Sequence, residues 1–288
     1  MLRSGRPRHW SRWLYRFQWL FLTLIALTVV AVRVGLLHLD SSFRVFTGLG
    51  LAMVALALLS MLVFLWGMVR RHSEARTAAL WAMLMGVIPV ALPLFFVGQQ
   101  NLSAPALYDI STDLKDPPQF DLLLSLRKEG DHSPDYPGSA AAVVQEKSPL
   151  YGDIKPLILT ATPSEVISQA ELVARDLGWR IIAVQAGKGQ LEAVVRTPIL
   201  GITQDVVVRI RPVDAQGNQE ETPERKSADR ANSTGADAAT APEPTSTRVD
   251  MRSASRTGSR DLGSNAESIR TFLQKLKQRV SERGEVAQ

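Results

Sequence analysis

The sequence predicts an α+β protein in which three N-terminal transmembrane helices precede a two-layer domain, an antiparallel sheet covered by two helices. Three observations predict it. Residues 17–97 hold three apolar runs broken by short charged loops. Between residues 157 and 253 apolar and polar residues alternate with the period of strands, and Thr162 and Ser264 open stretches with helix-start signals and helical apolar spacing. The boundaries that follow are a basic N-terminus over 1–16, a membrane sector over 17–101, and an exported domain over 102–288 with a disordered insertion at 213–246.

The spans are expected at about residues 17–38, 45–69 and 78–97. The middle run carries no charge and leaves no polar stripe for water, so it suits a hydrocarbon core about 30 Å thick. The third contains Pro89 and Pro93, which a spanning helix tolerates when neighbours re-satisfy the freed carbonyls. In the first, Arg33 sits near enough to the helix end to snorkel toward the headgroups. The basic start Arg3, Arg6, Arg8, Arg12 and Arg16 also suits a cleaved signal peptide, but the apolar run is long for one and no Ala-x-Ala site ends it.

Arginine placement sets the expected orientation. Arg70, Arg71 and Arg76 join the basic N-terminus on one side, against Arg33 and Arg44 on the other, so the N-terminus is expected in the cytoplasm and the C-terminal domain in the periplasm of a bacterial inner membrane. The net charge of +5 partly reflects these arginines and is not read as nucleic-acid binding. The absence of cysteine excludes disulfides and thiolate metal sites. Apart from Arg33 and His38 the spans lack ionisable side chains, so no proton or ion relay is expected. Gly48, Gly50 and Ala52 are candidates for close helix approach.

Beyond the membrane, residues 102–157 read as an irregular surface segment. Asp109 to Asp113 is rich in turn formers and Asp116-Pro117-Pro118 forbids helix, with Tyr108, Phe120, Tyr136 and Tyr151 as apolar pins. Asp109 and Asp113 read as turn residues rather than a metal pair, since no histidine or third carboxylate joins them. Residues 157–160 read as a short strand. Thr162-Pro163-Ser164-Glu165 has the features of a capping box, and Val166, Ala170, Val173 and Leu177 share one helical face that Gly178 closes. Residues 179–186 and 190–197 flank Gly187-Lys188-Gly189 as a hairpin. Two further strands follow, at 205–211 and 247–253, with Arg209, Arg211, Arg248, Asp250 and Arg252 on the outward face. Residues 213–246 between them have too little apolar surface to offset ordering. Ser264 and Glu267 open the last helix, on which Ile269, Phe272, Leu273, Leu276 and Val280 keep spacing.

Four stretches in order carry a resemblance: Asp109-Ile110-Ser111-Thr112-Asp113 with Asp116-Pro117-Pro118-Gln119-Phe120, then Leu177-Gly178-Trp179, then Glu192-Ala193 and Thr197, then the run from Arg252 to Ala266. Together they resemble the domain-of-unknown-function 1499 family (DUF1499), over roughly the whole exported region. Two departures stand out: Gly152 replaces a proline in the family's Tyr-Pro-Asp-Ile pattern around Asp153, and Gln204 precedes Asp205 where the family shows two acidic residues. The resemblance implies bacterial membrane-associated or plastid proteins with no assigned chemistry.

Two functional readings remain. In one, Arg252, Arg256 and Arg260, with Asp261 and Asn265 beside a helix N-terminus, bind an anionic ligand such as a lipid headgroup. In the other, Asp261 pairs with one of these arginines, Asp250 pairs with Arg209 or Arg211, and the domain is a structural or assembly factor that meets another envelope protein. The second is preferred. Other motif residues are Asp109, Asp113, Trp179, Glu192, Asp205 and Arg209. His132, alone among histidines in the exported region and in a loop expected to be mobile, gives no support to a triad or a histidine-rich metal site. No enzymatic role, cofactor or nucleic-acid partner is expected; the expected partners are the lipid bilayer and an envelope protein or anionic lipid.

Overall fold

The computed structural model describes residues 10–102, 104–213, 246–260 and 262–286. Two compact units are present, the first running to Ser103 and including Pro198–Gly201, the second comprising Ala104–Thr197 and the chain from Ile202.

The first unit is built from α1 (Arg12–Arg33), α2 (Leu39–Val69) and α3 (Ser73–Phe96). All three are long and apolar enough to cross a membrane. They begin earlier than the expected spans, because helical hydrogen bonding continues through polar residues that hydropathy leaves out, such as Asp40 to Ser42. The first span was expected to reach His38, but α1 stops at Arg33. Gly35 adopts φ +78° there, and the Leu36 N–H bonds back to the Ala31 carbonyl at 2.8 Å, a left-handed stop that no apolar pattern encodes.

One polar side chain joins the three helices. Gln18 of α1 is fully buried, and its Nε2 donates to the Met53 carbonyl of α2 at 2.9 Å and to the Ala82 carbonyl of α3 at 3.1 Å. Of the expected glycines, Gly50 faces α3 at ordinary contact distance, where a Cβ would lie 3.6 Å from that of Pro89, but a closer helix approach occurs at Gly86. A Cβ on Gly86 would lie 2.3 Å from the Ala57 Cβ, whereas one at Gly48 would meet nothing.

The second unit contains β1 (Asp109–Ser111), β2 (Leu157–Leu159), β3 (Arg180–Gln185), β4 (Gln190–Arg196), β5 (Thr203–Val213) and β6 (Ser246–Ser255). The strands order as β1-β6-β5-β4-β3, with β2 also on β6, and every pairing is antiparallel. The α-helices of this unit are α5 (Ser139–Lys147), α6 (Pro163–Asp176) and α7 (Ser264–Val286), α4 being a single turn (Gln99–Leu102) at the end of the first unit. The capping box of Thr162 and Glu165 opens α6, and Gly178 at φ +71° follows its end.

One sheet face forms the expected core. Leu191, Ala193, Val206, Val208, Ile210, Val249 and Met251 pack with Val166, Ala170 and Val173 of α6 and with Ile269, Phe272 and Leu276 of α7. Trp179 stacks on Phe272 at 5.1 Å. The other face departs from expectation. A segment from Thr112 to Tyr136 runs over it, and Phe120 and Leu123 pack on Val194, Val207 and Ala254. Side chains expected to face water are therefore covered, and Arg252 is 0% exposed.

Two local expectations also change. Asp109 to Ser111 is a strand rather than part of an irregular turn, in register with Arg252 to Ala254. Residues 139–147 are helical where an irregular segment was expected. Both elements are too short, or too weakly periodic, to declare themselves. The turn chemistry of Asp113 does appear, its Oδ1 accepting from the N–H groups of Lys115 at 3.1 Å and Asp116 at 3.0 Å. The expected insertion lies outside the described residues apart from its ends, Val213, where β5 stops, and Ser246, where β6 begins.

The two glycines of the β3–β4 turn are not equivalent. Gly189 is left-handed at φ +61°, and a Cβ there would sit 2.1 Å from the Ile210 carbonyl oxygen, while one on Gly187 would meet nothing within 4 Å. Gly189→Ala is expected to cost about 1–3 kcal/mol and Gly187→Ala to be neutral or slightly stabilising, a contrast that paired thermal melts of the full chain will read.

Candidate functional site

The second sheet face gathers most of the family-like motif residues into one charged layer. Asp109 of β1 and Arg252 of β6 lie side by side on neighbouring strands. The Arg252 Nε donates to Asp109 Oδ1 at 3.0 Å and its Nη2 to Oδ2 at 2.7 Å, a two-toothed fork with both side chains fully buried. The remaining donors reach the covering segment: Nη1 bonds the Pro118 carbonyl at 3.2 Å and Nη2 the Pro134 carbonyl at 2.8 Å. The guanidinium also lies 4.5 Å from the Phe120 ring centroid and 5.5 Å from that of Tyr136. One arginine thereby joins two strands and both ends of the strap.

A second fork joins Asp205 of β5 to Arg256, the residue that follows β6. Arg256 holds Asp205 through Nε at 3.0 Å and Nη2 at 2.8 Å, while Arg127 of the strap donates its Nε to the other carboxylate oxygen at 2.8 Å. Arg256 Nη1 bonds the Leu126 carbonyl at 2.7 Å, and Arg127 Nη1 bonds that of His132 at 2.7 Å. Glu192 secures the strap without an arginine, its carboxylate accepting from the N–H groups of Asp121 at 2.6 Å and Leu123 at 2.8 Å. At the near end, Asp113 and Asp116 of the strap and Asp250 of β6 interleave with Arg209, Arg211 and Arg248, the shortest ion pair being Arg248 to Asp113 at 2.8 Å. Asp250 and Arg209 are also cross-strand register partners.

The structure thus disperses the residues expected to form an anion site. Arg252 and Arg256 are on carboxylates. Asn265 is buried, its Oδ1 accepting from Ser253 and its Nδ2 donating to the Tyr108 carbonyl and to Ser255, so it fastens α7 to β6. Arg260 stands apart, with Nη1 3.5 Å from the Ala104 carbonyl. Asp261 lies outside the described residues. Trp179 belongs to the core on the opposite face. His132 was expected on a mobile loop, yet it is pinned: its N–H bonds the Arg256 carbonyl at 2.7 Å, its Nε2 is 3.0 Å from the Gly258 carbonyl, and its ring stacks on Tyr108 at 4.0 Å.

Sequence reasoning missed Arg127. It lies in the non-periodic strap and its partner is 78 residues away, so neither spacing nor local pattern signals it.

Burial raises Asp109 above the ordinary carboxylate range, against the fork from Arg252. Tyr136 is pushed up to about 12, first by burial and then by the Asp109 charge. The sign follows for Asp109. It binds its proton more readily when folded, so its contribution to stability is greatest below the ordinary carboxyl value and is lost as pH rises through the raised folded value. Net stability is therefore not what the buried pair supplies at neutral pH; it fixes which strands and loops meet. Asp153, gripped by Arg270 at 2.5 Å and 2.7 Å, is lowered, mainly by that hydrogen bonding.

Chemically, this layer is a set of ion pairs whose carboxylates are all engaged, although Arg127 Nη2, Arg209 Nε and Arg211 Nε are buried without a hydrogen-bond partner. Asp109, Asp205 and Glu192 are each occupied by guanidinium or backbone N–H groups and shielded by the strap. Among the described residues, no three His, Cys, Asp or Glu side chains are grouped to hold a metal ion.

A family model described as a protein of unknown function (DUF1499) matches residues 109–237 and 235–276, which contain both forks and Glu192. No curated protein and no solved structure matches the chain.

Arg252→Met strands the buried Asp109 charge and is expected to cost about 3–5 kcal/mol, whereas Asp109→Leu combined with Arg252→Met costs less than either change alone. A double-mutant cycle in thermal or urea melts of the full chain checks this. Asp153→Asn tests a carboxyl shifted the other way. Its stabilisation is present above the ordinary carboxyl value and lost as pH falls through the lowered folded value. The gap from wild type is expected to be under about 1 kcal/mol at pH 7, given solvent exposure, and to close toward pH 3.

Proposed function

Since the chain belongs to the DUF1499 family, whose function is unknown, we propose its role from its own geometry: a non-enzymatic, multi-pass protein of the bacterial inner membrane with a structural or protein-interaction role in the envelope. The observation that carries this reading is the internal use of Arg252 and Arg256, whose guanidiniums lie in forks with Asp109 and Asp205 rather than open to a ligand. A rigid, charge-neutral sheet face suits a scaffold that presents its other surfaces.

The excess of arginine at Arg70, Arg71 and Arg76 supports a cytoplasmic N-terminus and a periplasmic domain. Because the chain has no cysteine, single-cysteine probes report one site each. A membrane-impermeant maleimide, applied to cells with a permeabilised outer membrane, is expected to label Ser164→Cys and to spare Ser73→Cys; the reverse pattern inverts the topology. The scaffold reading is tested by native mass spectrometry of the purified full chain. A stoichiometric anion present in wild type and lost in Arg256→Gln at unchanged melting temperature overturns it, and a clean mass with a lowered melting temperature in the variant supports it.

A further inference from the structure

The end of the helical unit where α1 and α3 begin contains an open groove. Its walls are Tyr15 and Trp19 of α1 and Ala78, Trp81 and Met85 of α3, enclosing about 700 Å³. At its mouth Arg12 faces Glu74 at 3.7 Å, beyond a direct hydrogen bond, and both are over a third exposed. The groove thus joins one cationic and one anionic group to aromatic and thioether walls. Neither charge is locked to the other as Arg252 is to Asp109.

The walls are fixed from behind. Gln18, adjacent to Trp19, is bonded to the Met53 and Ala82 carbonyls, and Ala82 is adjacent to Trp81. Ala75, Ala79 and Ala82 are fully buried on the neighbouring stripe of α3. The spacing of α1 and α3 at the groove is therefore set by packing that an occupant does not have to create. In a bilayer, tryptophan and tyrosine favour the headgroup level, and charges at a helix end reach the same depth.

We propose that this groove binds a zwitterionic phospholipid, whose phosphate meets Arg12, whose ammonium meets Glu74, and whose glycerol and upper acyl chain lie against Trp19, Trp81 and Met85. Charge complementarity selects the occupant. An anionic lipid satisfies Arg12 but faces Glu74 with no cation, and an uncharged detergent or sterol leaves both charges unmatched. Phosphatidylethanolamine and phosphatidylcholine share the required chemistry, and Glu74 with the aromatic walls suits either ammonium. The inference rests on the helices lying in a bilayer.

The test uses the full chain, reconstituted in turn with phosphatidylethanolamine, phosphatidylcholine and phosphatidylglycerol, and native mass spectrometry of lipid retained through delipidation. Alkaline extraction of the source membranes is run first; release of the protein there defeats the membrane reading itself, separately from the lipid claim. Wild type is expected to retain one zwitterionic lipid roughly tenfold better than phosphatidylglycerol. Arg12→Gln is expected to lose that lipid, and Glu74→Gln to abolish the preference over phosphatidylglycerol. Trp81→Ala, which keeps both charges, is expected to weaken retention of every lipid. Equal retention of the three lipids by wild type, or unchanged retention in Arg12→Gln and Glu74→Gln, overturns the proposal; whichever of these two lipids binds better identifies the natural headgroup.

Discussion

The fork between Asp109 and Arg252 is the constraint on which the second unit depends. Strand β1 is three residues long, too short to be held by its ladder alone. It is fixed because a buried carboxylate on it requires the guanidinium on β6, with Thr112 just beyond it exchanging hydrogen bonds with the Met251 backbone in both directions. The same guanidinium, through the Pro118 and Pro134 carbonyls, ties down the strap. A pair like this is weak as a source of net stability, since desolvation offsets much of its attraction. Its effect is selective: any arrangement in which β1 slips or the strap lifts leaves a charge stranded.

What was legible in the sequence follows from where each signal resides. The α6 helix could be read because its start, apolar stripe and stop are all local: Thr162 with Glu165, then Val166 to Val173, then Gly178. The core face of the sheet could be read because Leu191, Val206, Val208 and Met251 obey period two. The opposite face could not, because the same rule assigns Arg252 and Asp250 to solvent. The burial of Arg252 depends on a carboxylate and carbonyls more than a hundred residues away in sequence, that of Asp250 on arginines of its own and the neighbouring strand, and both on a strap with no period of its own. Arg252 and Glu192 were marked as motif residues without the structural reason for the motif being visible. That reason is now specific: each of them fastens the strap.

The helical unit divides along the same line. Hydropathy locates three candidate spans because hydrocarbon selects composition. Helix ends escaped it, since Gly35 stops α1 by backbone conformation within a sequence that stays apolar. Gln18 escaped it as well. A single amide in a run of Leu, Phe and Trp reads as an interruption, yet here it spans from one helix to the carbonyls of two others. Interhelical hydrogen bonds of this kind are modest in energy, so its weight lies in register.

The two units therefore treat charge in opposite ways, and this bears on where recognition can occur. On the sheet face each arginine fork meets a carboxylate, Arg252 with Asp109 and Arg256 with Asp205, under a strap that leaves both carboxylates buried. Attraction of a distant anion needs unbalanced charge, and that face has little to offer. At the start of α1 and α3, by contrast, Arg12 and Glu74 form a long, exposed ion pair of 3.7 Å at the edge of an open, aromatic-lined groove. Opposite charges paired only loosely suit a partner that carries both signs at similar separation. The motif-bearing layer then accounts for how the domain holds its shape, and the lipid recognition proposed for the helical unit draws on charge that this layer does not offer.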